Sequence, residues 1–290
     1  MKKYKHVFEP IIIKGVEFKN RIEVAPMVPC MATPEGWITK ELMEFYKTCA
    51  RGSAAIVTVG DSAVNWEHAM DHEGQINLGN DNVKMGLDNL ADEVQKFGAL
   101  ISIELNHGGR FANSINLASK GLKPVSSTSK PAEIDEYFSK LQGKTPGEVE
   151  EMDISLINKT IQDYADAAGR CKDSGFKMVM IHGAHGMLPA QFLSPYVNKR
   201  TDRYGGSFQN RARFCIELLD AVRRRVGENF IIEYRISADE LVHGGMKVEE
   251  VIEFVKLIKD KIDILHVSAG MLPNQFTIQY MIQPMYIPIC

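Results

Sequence analysis

His182 and His185 stand three residues apart where an apolar run, Met178 to Ile181, gives out into a glycine-flanked turn. Two imidazoles at that spacing can donate hydrogen bonds to one oxygen, or serve as a pair of metal ligands. α/β folds gather their chemistry at the carboxyl ends of strands, so the position suits either task. A lone histidine at a strand end is more often a satisfied structural group, so the pair needs support from elsewhere. Glu104 sits inside the apolar run Ile101 to Leu105, where a solvated surface charge does not fit and an inward-facing carboxylate does. Arg235 lies near the end of the run Phe230 to Ile236 as a permanent cation, with a strand-to-helix salt bridge as its plainer reading.

The elements that must position these groups follow from periodicity and caps. Val7 to Arg21 reads as a hairpin with Lys14-Gly15 at its turn, leading into a strand that ends at Val24 to Met27. Thr39 caps a helix running to about Ala50, and Ala54 to Val59 is a β-branched strand closed by Gly60. Asp81 is the expected N-cap of a helix with Val83, Leu87, Leu90, Val94 and Phe97 on its apolar face, and Leu100 to Leu105 is the next strand. The stretch 111–152 has no clear period and reads as a lid or binding loop. Asp153 caps a helix whose apolar face is Ile154, Ile157, Ile161, Ala165, Ala168 and Cys171. Lys177 to His182, Phe230 to Ile236 and Ile262 to Ser268 are further strands, separated by helices at Phe208 to Val226 (N-cap Ser207) and Val248 to Ile258.

Apolar strands alternating with amphipathic helices mean an α/β fold with a parallel sheet. No G-x-G-x-x-G follows the first strand, so a TIM (β/α)8-type barrel is expected rather than a doubly wound sheet. About six of the eight βα units can be read. The chain is expected to be one barrel domain, residues 1–290, stopping before the last two strands.

Composition narrows the class of function. A net charge of −3 gives no basic footprint for nucleic acid, and 44% hydrophobic residues suit a globular core. No apolar run reaches membrane-spanning length, and the first ten residues lack a signal-peptide core, so a cytoplasmic protein is expected. The five cysteines are scattered singly, which excludes a zinc ribbon or a local cluster and suits a reducing compartment. No H-x-H or ligand carboxylate appears on the first strand, so no metal site is assigned.

The string from His182 to Phe214, H-G-A-H-G-M-L-P-A-Q-F-L-S-P-Y-V-N-K-R-T-D-R-Y-G-G-S-F-Q-N-R-A-R-F, resembles the signature of the Old Yellow Enzyme family of FMN-dependent ene-reductases. N-R-I-E-V-A-P-M at Asn20 to Met27 resembles that family's first strand. The likeness is to the branch with 2-enoate, 2,4-dienoyl-CoA and bile-acid steroid reductases. It implies FMN as cofactor, NAD(P)H as co-substrate and a small-molecule substrate with an activated C=C. It also implies strands seven and eight beyond the point where this chain stops, with the FMN phosphate anchored there. The branch's iron–sulfur segment has no counterpart here. A homo-oligomer, or a second chain completing the barrel, is the partner the resemblance allows.

Residue by residue, the resemblance places Pro26, Met27 and Gly60 along the flavin edge near N5 and O4, and Arg235 beside N1. It makes His182 and His185 the donors to the substrate carbonyl. Three positions depart from it. Val28 stands where relatives have Thr or Cys and cannot hydrogen-bond. Glu104 replaces a Gln, so it either keeps only the accepting contact or is held protonated by burial. Met187 replaces the tyrosine that protonates Cα and carries no exchangeable proton. Water, Tyr196 or Tyr46 then supplies the proton, or the reaction is not simple alkene reduction. The rivals are an inactive or complementation-dependent barrel fragment and a metal-dependent TIM-barrel hydrolase.

Overall fold

The computed structural model describes residues 4–130 and 148–271. It opens with a hairpin, β1 (Ile11–Ile13) against β2 (Val16–Phe18), whose turn puts both Lys14 (φ 49°) and Gly15 (φ 76°) in the left-handed region. That pairing of positive φ values is the tight turn matching the twist of two short strands. Along the chain follow β3 (Glu23–Met27), α1 (Lys40–Arg51), β4 (Ile56–Ala63), β5 (Ile76–Asn77), α2 (Lys84–Gln95), β6 (Leu100–Asn106), α3 (Ser114–Ser119), β7 (Val125–Ser126) and β8 (Glu150–Glu151). The second half holds α4 (Ile154–Asp173), β9 (Met178–Gly183), α5 (Leu188–Leu193), α6 (Phe208–Val226), β10 (Ile231–Ser237), α7 (Val248–Ile258) and β11 (Ile264–Ser268).

Six parallel strands form the wall in the order β11-β10-β9-β6-β4-β3, with β5 pairing the tail of β4. Neighbours in space are successive major strands in sequence, joined by crossovers containing helices, which is the βα repeat of a TIM-type barrel. Among the described residues β3 and β11 each pair on one side only. Residues 272–290, read from the sequence as a tail that stops before a seventh strand, lie outside those described.

Thr39, Asp153 and Ser207 cap α1, α4 and α6 by accepting from the N–H groups of Leu42, Leu156 and Asn210. Asp81 is a correction. Asn80 caps a short 3-10 turn and α2 begins only at Lys84, while Asp81 accepts instead from Arg170 Nε at 2.6 Å. Ile154 and Phe97 are surface residues rather than core, being 41% and 37% exposed. The stretch 111–152 is not one open loop either. Its described parts hold α3 and the parallel β7–β8 pair, and only 131–147 lies outside the description.

The barrel interior is layered. Ile56, Met178 and Ile231 form an apolar floor with Phe18 of the hairpin packed beneath. Above it come Thr58, Glu23, Glu233 and His266, and at the carboxyl ends of the strands Glu104, His182 and Arg235. A larger core lies between the strands and their helices, from Val57 and Ile103 to Leu218 and Phe254.

Candidate active site

Glu104, His182 and Arg235 sit on β6, β9 and β10, and the parallel register sets Arg235 beside His182. Arg235 Nη1 donates to Glu104 Oε1 at 3.0 Å, and His182 Nδ1 lies 3.5 Å from the same oxygen. Glu104 Oε2 accepts from the Asp61 N–H at 3.2 Å. Glu104 is thus an inward-facing member of the site, as its place in the apolar run required. The Arg235 partner is a strand-to-strand carboxylate rather than one on a helix.

His185 follows in the turn after β9 with φ 56°, a conformation that costs a residue with a side chain. Its N–H donates to Ser237 Oγ at 3.0 Å, and Ser237 Oγ donates to the Gly270 carbonyl at 2.7 Å. The ring Nε2 lies 2.6 Å from Ser268 Oγ. Both histidines are buried, and their rings meet edge-on at 5.1 Å. Burial holds both well below the usual imidazole range, aided by Arg235 for His182 and by His182 for His185. Two neutral imidazoles, each with one N–H, therefore face the mouth beside a cation.

The turn carrying them is fixed by Gln191, a fully buried amide on α5. Its Nε2 donates to the carbonyls of Gly186 and Gly108, and its Oε1 accepts from the Arg110 N–H and Ser126 Oγ. The charged residues of the long motif act as clamps. Arg200 donates to the carbonyls of Met152 and Ser127, Asn198 to those of Phe192 and Tyr204, and Arg211 to that of Leu193. Gln191, Ser237 and Ser268 drew no role from the sequence. The one available signal was a lone amide in the otherwise apolar segment Leu188–Leu193.

On the opposite rim, Pro26 is buried, Val28 half-buried and Met27 63% exposed. Tyr46 Oη donates to the Met27 carbonyl at 2.9 Å and accepts from the Gly60 N–H at 3.0 Å. Gly60 is held against Met27 so closely that a Cβ there would lie 2.3 Å from the Met27 oxygen. Tyr46 is therefore no candidate proton donor: its hydroxyl is spent on the rim backbone, and burial pushes its pKa up. The Gly60 N–H is thereby satisfied within the rim. Met187 is buried at the head of α5, with its N–H on the Ala184 carbonyl. Tyr196 packs in a cluster with Phe111, Val197 and Met271, and Met271 bridges His185 through the backbone.

The donor set fits the pyrimidine edge of a flavin, which offers carbonyl acceptors beside an N–H donor. Arg235 Nε is buried without a hydrogen-bond partner, and Glu104 keeps accepting capacity beyond its two contacts. Arg235 would hold the carbonyl and Glu104 the ring N–H. Beside them His72 bridges two carboxylates with opposite ring nitrogens, Nδ1 at 2.8 Å from Asp71 and Nε2 at 3.4 Å from Asp61.

The family model described as NADH:flavin oxidoreductase / NADH oxidase matches residues 6–274. NADH oxidase of Thermoanaerobacter brockii is 33% identical over 279 residues, covering 96% of this chain and 41% of that protein. NADPH dehydrogenase of Bacillus subtilis (strain 168) is 33% identical over 270 residues, 92% of this chain and 74% of the relative. Among solved structures, 2-naphthoyl-CoA reductase in complex with 2-naphthoyl-CoA superposes with a TM-score of 0.84 at 28% identity, over 93% of this chain and 41% of that one. The chain thus spans about two fifths of two of these proteins and about three quarters of the third. No helix among the described residues is long and apolar enough to cross a membrane.

Proposed function

From the premise that this chain belongs to the NADH:flavin oxidoreductase / NADH oxidase family, we propose that it reduces an activated C=C with electrons taken from a reduced nicotinamide. The substrate class is an enoate, an enoyl thioester or a steroid enone. FMN, when bound, supplies the two-electron acceptance and donation that links the two substrates in one pocket. The observation that carries the reading is the pair of neutral, buried imidazoles, His182 and His185, set beside Arg235.

The chain's own residues divide the work. His182 and His185 present N–H donors to a substrate carbonyl and draw electron density away from the alkene. Arg235, tethered by Glu104, holds positive charge where the cofactor's pyrimidine edge accumulates negative charge on reduction. Gln191 keeps the histidine turn in place, so little reorganisation is needed when charge develops. Met187 supplies no proton, so protonation at Cα falls to water in this reading.

Anaerobic mixing tests the proposal. NADH or NADPH should bleach the visible absorption of the FMN-loaded protein, and an enone or enoyl thioester should restore it. Recovery with dioxygen but with no alkene would shift the reading to an oxidase, a second possibility favoured by Met187, which offers carbon no proton. No bleaching with either nicotinamide would overturn both.

A further inference from the structure

Below the mouth, the barrel interior carries a second group of ionisable side chains. Glu23 opens β3, Glu233 lies within β10 and His266 within β11, and one ligand-capable atom from each lies within 4.8 Å of the others. His266 Nδ1 faces both carboxylates, 3.3 Å from Glu233 Oε1 and 3.8 Å from Glu23 Oε2. Ligand atoms held about 2.0–2.1 Å from a tetrahedral ion stand roughly 3.3–3.4 Å apart, so one edge already has the right length and another is slightly long. The His72 group differs, because His72 reaches its two carboxylates through opposite ring nitrogens rather than converging on one point.

Two further observations ask for a ligand here. Glu233 is 0% exposed, and neither of its carboxylate oxygens accepts a hydrogen bond. His266 Nδ1 is the nearest group able to donate, at 3.3 Å, and a buried carboxylate that accepts no hydrogen bond is strongly disfavoured unless a cation neutralises it. Ser102 Oγ is also fully buried without a hydrogen-bond partner. Ser102 is in register with Thr58, whose hydroxyl donates to Glu23 Oε1 at 2.5 Å, so both hydroxyls face this layer of the interior.

We propose that Glu23, Glu233 and His266 bind one divalent transition-metal ion of the zinc type, which links β3 to β11. Those strands are the two ends of the described sheet, so the ion would tie them together across the barrel interior. One imidazole with two carboxylates suits zinc better than calcium or magnesium, which take oxygen ligands alone. The two carboxylates balance the ion's charge. Glu23 and His266 are each 19% exposed at the side chain, which leaves the ion a path to its ligands. The ligands must be deprotonated to bind the ion, so binding releases protons and weakens as pH falls.

The test is calorimetric titration of the chelator-stripped full chain with Zn²⁺, alongside Co²⁺ followed by visible absorption. One ion per chain is expected, with the intense visible band of tetrahedral cobalt, proton release, and no competition from Mg²⁺. Glu233→Gln and His266→Gln should each weaken binding by at least about 100-fold, more than a lost outer-shell contact does. His72→Gln should leave it unchanged. If the first two variants do not fold, histidine modification by diethylpyrocarbonate mapped by mass spectrometry decides on the unaltered chain: bound Zn²⁺ should protect His266. Absence of stoichiometric binding, an octahedral cobalt spectrum, loss of binding in His72→Gln, or unprotected His266 would each overturn the proposal.

Discussion

Glu104 and Arg235 meet at the barrel mouth as a part-buried ion pair, Oε1 to Nη1 at 3.0 Å, on strands separated by β9. The carboxylate offsets the guanidinium that would otherwise act in full on a bound cofactor. Glu104→Gln removes that charge and keeps the shape, so the anionic reduced flavin should be stabilised. One charge-assisted contact of roughly 1.5–3 kcal/mol corresponds to about 30–65 mV for a two-electron couple. Potentiometry with a reference dye should therefore find the variant's midpoint higher by that order. An unchanged or lower midpoint would mean that the pair does not face the flavin.

Gly60 is pinned against Met27, and an added Cβ would lie 2.3 Å from the Met27 oxygen. Gly60→Ala must push apart β3 and β4 or break the Tyr46 bridge. Overpacking of this kind costs about 1–3 kcal/mol. Urea unfolding should show a lower midpoint at unchanged slope, and an unchanged midpoint would contradict the tight rim.

What the sequence disclosed, and what it hid, divides along physical lines. The strands at Leu100–Asn106, Met178–Gly183 and Ile231–Ser237 were legible because each is an apolar run ended by a polar group. Thr39, Asp153 and Ser207 were legible as caps because short polar side chains there precede amphipathic periods. Asp81 misled because Asn80, next to it, is an equally good cap. The Tyr46 bridge was hidden because nothing local to α1 says where its hydroxyl lands on β3 and β4. The β7–β8 pair, two residues each, is too short to carry a period. In the middle of the barrel, Glu233 and Arg235 alternate on one face of β10, a pattern open to reading from the sequence. Its meeting with Glu23 and His266 depends on the curl of the whole sheet.

Burial pushes Glu240 up to about 7 against the pull of the Met246 N–H and the Ser194 hydroxyl. A carboxyl raised in the folded state contributes stability that is complete below its unfolded pKa, near 4.5, and is lost as pH rises through about 7. Glu240→Gln cannot ionise and keeps an oxygen for both donors. The stability of the variant relative to the parent should therefore climb between pH 4.5 and 8, by on the order of 3 kcal/mol at most. Parallel melting curves across pH check this, and a constant difference would mean that Glu240 is not held protonated.

Met187 sits where a proton donor to Cα would be expected, with a thioether instead. Met187→Tyr should speed the oxidative half-reaction with an enone by up to about 10²–10⁴-fold where protonation limits it. Reduction by the nicotinamide should not change. Stopped-flow measurement of each half-reaction separates the two, and a change confined to the reductive half would misplace the residue.

His182 and His185 should present N–H donors above a bound flavin. Titrating the FMN-loaded protein with a phenol tests it directly, because a phenolate held over the ring gives a long-wavelength charge-transfer band. That band is expected in the parent chain, with His182→Ala and His185→Ala each weakening phenol affinity by about 10–100-fold, the loss of one hydrogen bond to a charged ligand. No band in the parent, or the same affinity in both variants, would contradict it.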